Sequence, residues 1–461
     1  MEKKDFEEDE FFDLPTPTPN AGSSEVGAAE ENGAKKKPNA EKIRCVIVGV
    51  VTAIAIFIVG VFAGRLFLDE ELRALMKVKD RIQDSYYQDV SDERFYDVIF
   101  DAINENILDD YSLYMTETEY DASLSRKAGN QFGVGLAFTD AVGLRLERVC
   151  GNSPAERIGL SAGDLLVGIG GTEETLVPVQ TCAEFNEQLK LYAANVPFYL
   201  QWQTPGGELR VAETCRADYV ENYVFYRTND SAFGFSGAEM TTLTAIGTPL
   251  SALTVDAAYI RLTSFNGAAA QAFDVAMSRF KADGKKDLVL DLRGNRGGYM
   301  RIFKDIAKYF CKNATDENPV VAIADNDDGR EAYYATDNLY AEYFAQDSRI
   351  TVLADANTAS ASECLLGCML DYGTIDYDDI CLTRVADGTA KTYGKGIMQT
   401  TYPFWGGAQG AIKLTTAHIL WPQGNCLHGR GITDEDGTKT VEEDVDFERL
   451  TAAAIETLYA E

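Results

Sequence analysis

The sequence predicts an α/β protein, and three features carry that expectation. Residues 258–265, 287–292 and 350–354 are short apolar runs of the kind that parallel strands buried on both faces require. A helical pattern over about 268–281 separates the first two runs, which makes a strand–helix–strand unit. Turns rich in glycine or serine follow the second and third runs, at the carboxyl ends of strands, where α/β sheets place their sites.

Composition narrows the function before any motif is read. The 461 residues carry 42 Lys+Arg against 73 Asp+Glu, a formal charge of −31 that argues against nucleic acid as a partner. With 46% apolar and 11% aromatic residues the chain as a whole is not disordered. Two histidines, His418 and His428, leave little material for a multi-histidine metal site. Nine cysteines, an odd number, exclude complete intramolecular pairing, and no particular disulfide is predicted.

The elements follow in order. Residues 1–44, with Pro15, Pro17 and Pro19 and no apolar period, read as a solvated, disordered cytoplasmic tail. Residues 45–64 run uncharged for about 30 Å of helix, the thickness of a bilayer core, and predict one transmembrane helix. A cleaved signal peptide is the rival, but the apolar run is long for one and no small-residue cleavage site precedes Arg65. Lys35, Lys36, Lys37, Lys42 and Arg44 before the span outnumber Arg65, Arg73, Lys77 and Lys79 after it. That balance favours a cytoplasmic N-terminus and an extracytoplasmic body at the cell membrane. Residues 70–120 have helical spacing and read as a helical spacer with little chemistry, one that offers a surface for a homodimer.

Over residues 121–217 the pattern changes to short β runs, with helices expected near 154–160 and 183–191 and a closing strand at 198–202. This order resembles a PDZ domain. In that resemblance Phe132, Gly133, Val134 and Gly135 lie in the loop that presents backbone N–H groups to a peptide's terminal carboxylate, the glycines allowing close approach. An ordinary hairpin glycine pair is the plainer reading of that loop taken alone.

Two side-chain types carry chemistry in the last 200 residues. Ser360 and Ser362 sit on a strand-to-helix turn, where a helix N-terminus favours developing negative charge, and physics alone does not separate them from each other or from an N-cap serine. Lys395 stands between Gly394 and Gly396 in an apolar and aromatic stretch that lacks the spacing of a phosphate loop. An ordinary lysine is neutral in only about one molecule in 2,500 at pH 7. A base role therefore requires lowering its pKa by about 3 pH units, or about 4 kcal/mol.

Thr-Ala-Ser-Ala-Ser-Glu at 358–363, Tyr-Gly-Lys-Gly-x-x-Gln at 393–399 and Asp-Leu-Arg-Gly-Asn-x-Gly-Gly at 291–298 together resemble the C-terminal processing peptidases, or tail-specific proteases. Residues 108–115 are similar to the motif these enzymes carry before their PDZ domain, and 413–433 to their closing signature. The resemblance spans about residues 75–440 in the family's order. It implies a crotonase/ClpP-like protease core over 218–461 with the PDZ domain inserted or preceding, and no cofactor or metal. It further implies Ser360 as nucleophile, Lys395 as general base, Gln399 as the residue holding the lysine, and an oxyanion hole of backbone N–H groups from Ala361, Gly297 and Gly298. Substrates would be proteins or peptides with exposed C-terminal tails, cleaved by a membrane-anchored serine endopeptidase.

Two alternatives compete with that reading: a catalytically silent, membrane-tethered peptide-binding module of the same fold, and a serine–histidine triad through His418 or His428. The chain also departs from the family. Ser360 and Lys395 are 35 residues apart, about ten more than the family pattern, and the excess is assigned to a surface insertion over 374–387 that could cover the cleft. Thr433-Asp434-Glu435 stands where the family has Pro-Asp.

Overall fold

The computed structural model describes residues 52, 69–138, 143–237, 239–385, 387–404 and 410–460. The tail expected at 1–44 and, apart from Thr52, the span expected at 45–64 lie outside the described residues. Among the described residues no helix is long and apolar enough to cross a membrane.

Residues up to Phe95 belong to one compact unit and Tyr96–Glu461 to another. In the first, α1 (Glu70–Ser85) is capped by Asp69, whose Oδ1 accepts the Leu72 N–H at 2.8 Å. Asp92, which opens α2 (Asp92–Asn106), pairs with Lys79 at 2.8 Å.

Helix ends at Asn106, earlier than the spacer expected to residue 120. Leu113–Met115 is instead a strand, β1, paired residue for residue with Ala411–Lys413. Its partner lies some three hundred residues along the chain, so no local periodicity announces it. After it, α3 (Glu117–Lys127) opens with a capping box, Thr116 and Glu119 bonding each other's backbone N–H.

The next segment has its own core. It contains β2 (Asn130–Gly133), β3 (Leu136–Phe138), β4 (Leu146–Val149), α4 (Pro154–Arg157), β5 (Leu165–Gly170), β6 (Val177–Pro178), α5 (Cys182–Lys190), β7 (Phe198–Gln203), β8 (Leu209–Thr214) and β9 (Ala217–Val220). The four-stranded sheet runs β6-β5-β7-β8, while β3 pairs β4 and β2 pairs β9. Leu144, Ile169, Phe185, Phe198, Leu200 and Trp202 pack together inside. The strand expected to close this segment, β7, is internal to the sheet, and two further strands follow it.

The site is positioned by the larger body. An antiparallel meander, β10 (Val224–Arg227), β11 (Ala232–Ser236) and β12 (Thr242–Ala245), lies against β13 (Ala257–Leu262). Then come α6 (Ala269–Ala282), β14 (Asp287–Asp291), α7 (Met300–Ala307), β15 (Val320–Asn326), β16 (Gly329–Tyr334), α8 (Tyr340–Tyr343), β17 (Ile350–Ala354), α9 (Ala361–Asp371), β18 (Ile380–Arg384), β19 (Ile397–Pro403), β20 (Ala411–Leu420), β21 (Lys439–Glu442) and α10 (Phe447–Tyr459). The main sheet runs β12-β11-β10-β13-β14-β17-β18-β21, parallel from β13 onward.

Strand alternation explains why those runs are apolar throughout. Ala258, Ile260, Leu288, Leu290 and Val352 face Phe273, Met277 and Phe303 of α6 and α7, whereas Tyr259, Val289, Leu353 and Cys381 face Ile455 and Leu458 of α10. Each large apolar side chain so enclosed contributes about 1.5–3 kcal/mol. A second sheet places β20 between β1 and β15, with β19 also on β20.

The stretch expected as a surface insertion is not all surface. Ile380, Cys381 and Leu382 are buried in β18, hydrogen-bonded between β17 and β21, so this part of 374–387 belongs to the main sheet. An apolar run this short, with acids before it, is masked by them in the sequence.

One buried ion pair fixes the turn after β14. Asp291 accepts from Arg293 Nη2 at 2.6 Å, Arg293 Nε at 2.9 Å and the Tyr259 hydroxyl at 2.6 Å, and Arg293 also reaches Thr451 of α10 at 2.6 Å. Burial raises the Asp291 carboxyl, but Arg293 outweighs it and holds the group below the ordinary carboxylate value. The stabilisation from this depressed pKa is therefore present above that ordinary value and is lost as pH falls through the depressed one. Asp291→Asn is expected to lower stability at pH 7 by about 3–5 kcal/mol, because it leaves a buried guanidinium unpaired. Denaturant melts of both chains at pH 7 and in acid check this: the difference should shrink in acid, and a constant difference would assign the loss to packing.

Candidate active site

The carboxyl ends of β14 and β17 lie side by side, and their turns are knitted together. Thr358 Oγ1 donates to Leu292 O at 3.0 Å, the Ala359 N–H to Asn295 O at 3.0 Å, and Ser362 Oγ to Asn295 O at 2.9 Å. These contacts separate the two candidate serines. Ser362 is fully buried and spent on structure, while Ser360 is partly exposed at the N-terminus of α9. Ser360 also has φ +58° and ψ −117°, a strained conformation for a side-chain-bearing residue of the kind that collects at active sites.

Glu363, one turn into α9 and 2% exposed, joins this turn to the lysine loop. Its Oε2 accepts the Ser360 N–H at 3.0 Å and the Lys395 N–H at 2.8 Å. Its Oε1 accepts the Thr392 hydroxyl at 2.6 Å and the Gly394 N–H at 2.7 Å.

Beyond that loop, Lys395 Nζ donates to Gln399 Oε1 at 2.8 Å and lies 4.9 Å from the centre of the Tyr111 ring. It makes no hydrogen bond to Ser360 and no ion pair among the described residues. A register shift between Met398 and Gln399 on β19 re-aims the glutamine, whose Nε2 donates to Thr415 Oγ1 at 3.2 Å on β20. Ser112 Oγ in turn accepts the Thr415 N–H at 2.8 Å. Burial first, and Lys413 second, push the Lys395 ammonium below the ordinary lysine value, with Asp109 opposing.

The spacer thus has more to do than sequence reasoning assigned it, since Asp109, Tyr111 and Ser112 lie around the lysine. Glu363, Asn295 and Thr415 were likewise missed as site residues. The signal that could have found Glu363, Tyr111 and Thr415 was present, because all three fall inside the quoted motifs.

The three expected oxyanion donors are not equivalent. The Gly297 N–H donates to Asn295 Oδ1 at 2.9 Å, which corrects its assignment as a free donor. Gly297 serves by lacking a side chain: a Cβ there would lie 2.9 Å from Ala359 O, Ala361 N and Ser360 Cβ. The N–H groups of Ala361 and Gly298 have no protein acceptor among the described residues. The two histidines meet edge to face with ring centres 5.6 Å apart and bond neither Ser360 nor a carboxylate among the described residues.

Of the four residues expected in a carboxylate-binding loop, Phe132 and Gly133 instead end strand β2, paired with Asp218 and Ala217 of β9; Phe132 is exposed, with the Arg216 guanidinium 5.1 Å from its ring centre, and Val134, in the loop that follows, is buried. Gly135 packs against Ser153, where a Cβ would come within 2.2 Å of the serine Cβ, whereas Gly133 faces open space. β2 and β3 each have one strand partner among the described residues, so each has an edge without a strand.

With this geometry in view, residues 256–436 match the family model described as peptidase family S41. Over that segment the chain is similar to peptidase family S41. Its relatives include the "Probable CtpA-like serine protease" of Staphylococcus saprophyticus, 24% identical over 426 residues, covering 90% of this chain and 76% of that protein. Another is the "Carboxy-terminal processing protease CtpB" of Bacillus subtilis, 24% identical over 368 residues, covering 79% and 67%. Among solved structures, a photosystem II D1 C-terminal processing protease aligns at a TM-score of 0.46 and 20% identity, over 84% of this chain and 93% of that one. The matched segment begins at β13 and ends after the lysine loop, so it contains both turns and the Glu363 clamp.

Gly297→Ala is expected to slow peptide cleavage about 100-fold, because its Cβ displaces the Ser360 turn by a large fraction of an ångström. Gly294→Ala makes the control: φ is +73° there, but no atom lies within 4 Å of the added carbon, so it should cost stability with little loss of rate. Cleavage rates and melting temperatures of the two variants check this, and equal rate losses would remove the close approach as the cause.

Proposed function

We propose that this chain belongs to peptidase family S41 and is a membrane-anchored serine endopeptidase that cleaves proteins near their C-termini, with residues 121–217 acting as a PDZ domain that captures the tail. The observation that carries the chemistry is the setting of Lys395. Its Nζ is partly buried, bonded to a neutral amide and unpaired with any carboxylate among the described residues, which suits an amine that must lose its proton.

In this mechanism neutral Lys395 takes the Ser360 Oγ proton as the oxygen attacks the scissile carbonyl. The resulting oxyanion is met by the Ala361 and Gly298 N–H groups, and the N-terminus of α9 adds its dipole. Lysine then returns the proton to the departing amine, leaving an ester on Ser360 that water hydrolyses by the same route in reverse. Gln399 keeps Nζ aimed throughout, and Thr415 keeps the glutamine oxygen turned towards it. Nζ must swing from Gln399 alone to share Ser360 once substrate excludes water, as catalytic contacts commonly tighten in the bound complex.

The unpaired edges of β2 and β3 and the Val134 and Gly135 N–H groups, which lack protein acceptors among the described residues, support strand addition by a peptide with its carboxylate at the loop. The tail, the span at 45–64, an extracytoplasmic body and a homodimer through the helical segment complete the proposal.

The test uses the full chain in detergent with an unfolded, C-terminally tagged protein. Ser360→Ala and Lys395→Ala should each lose about 10³-fold or more in kcat/KM, and His418→Ala should lose little. Full activity in Lys395→Ala would sink the lysine mechanism, and loss confined to the histidine variant would promote a triad. Tail binding without cleavage by the unsubstituted chain would support the silent module. Peptides with free and amidated C-termini should differ in affinity, and equal affinity would count against carboxylate capture.

A further inference from the structure

The lysine base has a second lysine beside it. On β20, Lys413 and Thr415 project from the same face, two residues apart, and Thr415 is the residue that holds Gln399 against Lys395 Nζ. Lys413 sits in register with Thr401 of β19 on one side and Leu113 of β1 on the other, so two paired strands fix its backbone. The turn that leads into β1 supplies the facing groups. Asp109 accepts the Tyr111 N–H at 3.0 Å, and Ser112 meets Thr415. Among the described residues Lys413 makes no ion pair within 4 Å.

We propose that Lys413 is a positioning residue of electrostatic kind: its ammonium, held on the Thr415 face of β20, drives Lys395 to release its proton, and Asp109 sets the limit of that effect. This deepens the reading of Lys395 as general base and rests on it. Two ammonium ions on neighbouring, partly buried side chains repel, so the pair holds a single positive charge more readily than two. Burial pushes both ammonium ions below the ordinary lysine value and Asp109 pulls both up, while Lys413 adds a further downward push on Lys395.

Other groups around Lys395 do not substitute for this charge. Tyr111 and Tyr393 bond each other through their hydroxyls at 3.3 Å, and the Tyr111 hydroxyl is pushed up to about 12, so the ring stays neutral. Glu363 faces the loop's backbone N–H groups, and Asp110 and Asp109 are the acids acting on Tyr111. Cys426 packs on the Gly396 carbonyl at 3.7 Å. Lys413 is the cation in this set.

The signs follow directly. Lys413→Met removes a positive neighbour, so the acid limb of the pH profile of kcat/KM should move up by about 0.5 pH unit or more, with about a threefold loss on that limb. Lys413→Arg keeps the charge and should restore the unsubstituted profile. Asp109→Asn removes the opposing charge and should move the limb down. A second readout is independent of turnover: competitive acetylation of Lys395 with acetic anhydride across pH, read by peptide mass spectrometry in the Ser360→Ala background, should show the same opposite shifts. An acid limb and a labelling curve unmoved by Lys413→Met would overturn the proposal while leaving Lys395 as base. If instead Lys395→Ala keeps full activity, the underlying reading fails first. Should Lys413→Met not fold, the Asp109→Asn labelling shift decides the matter, and its absence counts against the inference.

Discussion

Four hydrogen bonds to one carboxylate hold the candidate site together. Glu363 accepts from Ser360, Thr392, Gly394 and Lys395, which fills the roughly four acceptor positions an ionised carboxylate offers. One of these donors belongs to the nucleophile, one to the base and one to the residue before the base, so a single buried group sets the spacing between segments that are well apart in the chain. The strained φ of Ser360 is held in part by the same bond, since its N–H is drawn towards Glu363 instead of continuing an ordinary helix entry. Strain of about 1–3 kcal/mol persists only where the surroundings over-determine it, and here they do.

The clamp works because the strands beneath it are rigid. β14 and β17 are adjacent and parallel, so their carboxyl ends present two turns at one edge, and Asn295, Thr358 and Ser362 bond one turn to the other. The Asp291–Arg293 pair extends this rigidity through the sheet to Thr451 of α10. Polar contacts that would contribute little at the surface contribute more here, because solvent does not compete for the donors.

The α/β character was legible in the sequence because strands buried on both faces must be apolar at nearly every position, and residues 258–265, 287–292 and 350–354 are. Ser360, Lys395 and Gln399 were legible through motif resemblance, and their neighbours in space agree with the spacing. Three things were not legible, each for a physical reason. β18 is too short an apolar run to stand out from its acidic approach. β1 gains its identity from a partner some three hundred residues later, and strand propensity over three residues carries no such information. The occupation of the Gly297 N–H depends on where the Asn295 side chain turns, and a motif names the asparagine without giving its rotamer.

The acidic balance of the chain sharpens what the site must achieve. With a formal charge of −31, a lysine placed at random has carboxylates near it, and carboxylates raise a lysine pKa. Lysines elsewhere in the fold have such neighbours: Lys79, Lys190, Lys281, Lys286 and Lys308 each pair with an acid. At Lys395 the arrangement is reversed. Glu363, which accepts the Lys395 backbone N–H, has its oxygens committed to backbone N–H groups and a threonine, the amine's own partner is an amide, and the charges acting on it are those of Lys413 and Asp109. A carboxylate in place of Gln399 would supply a better acceptor and a worse base, because it would hold the proton on nitrogen. The amide therefore does what a carboxylate cannot: it orients the lysine while stabilising its charge far less.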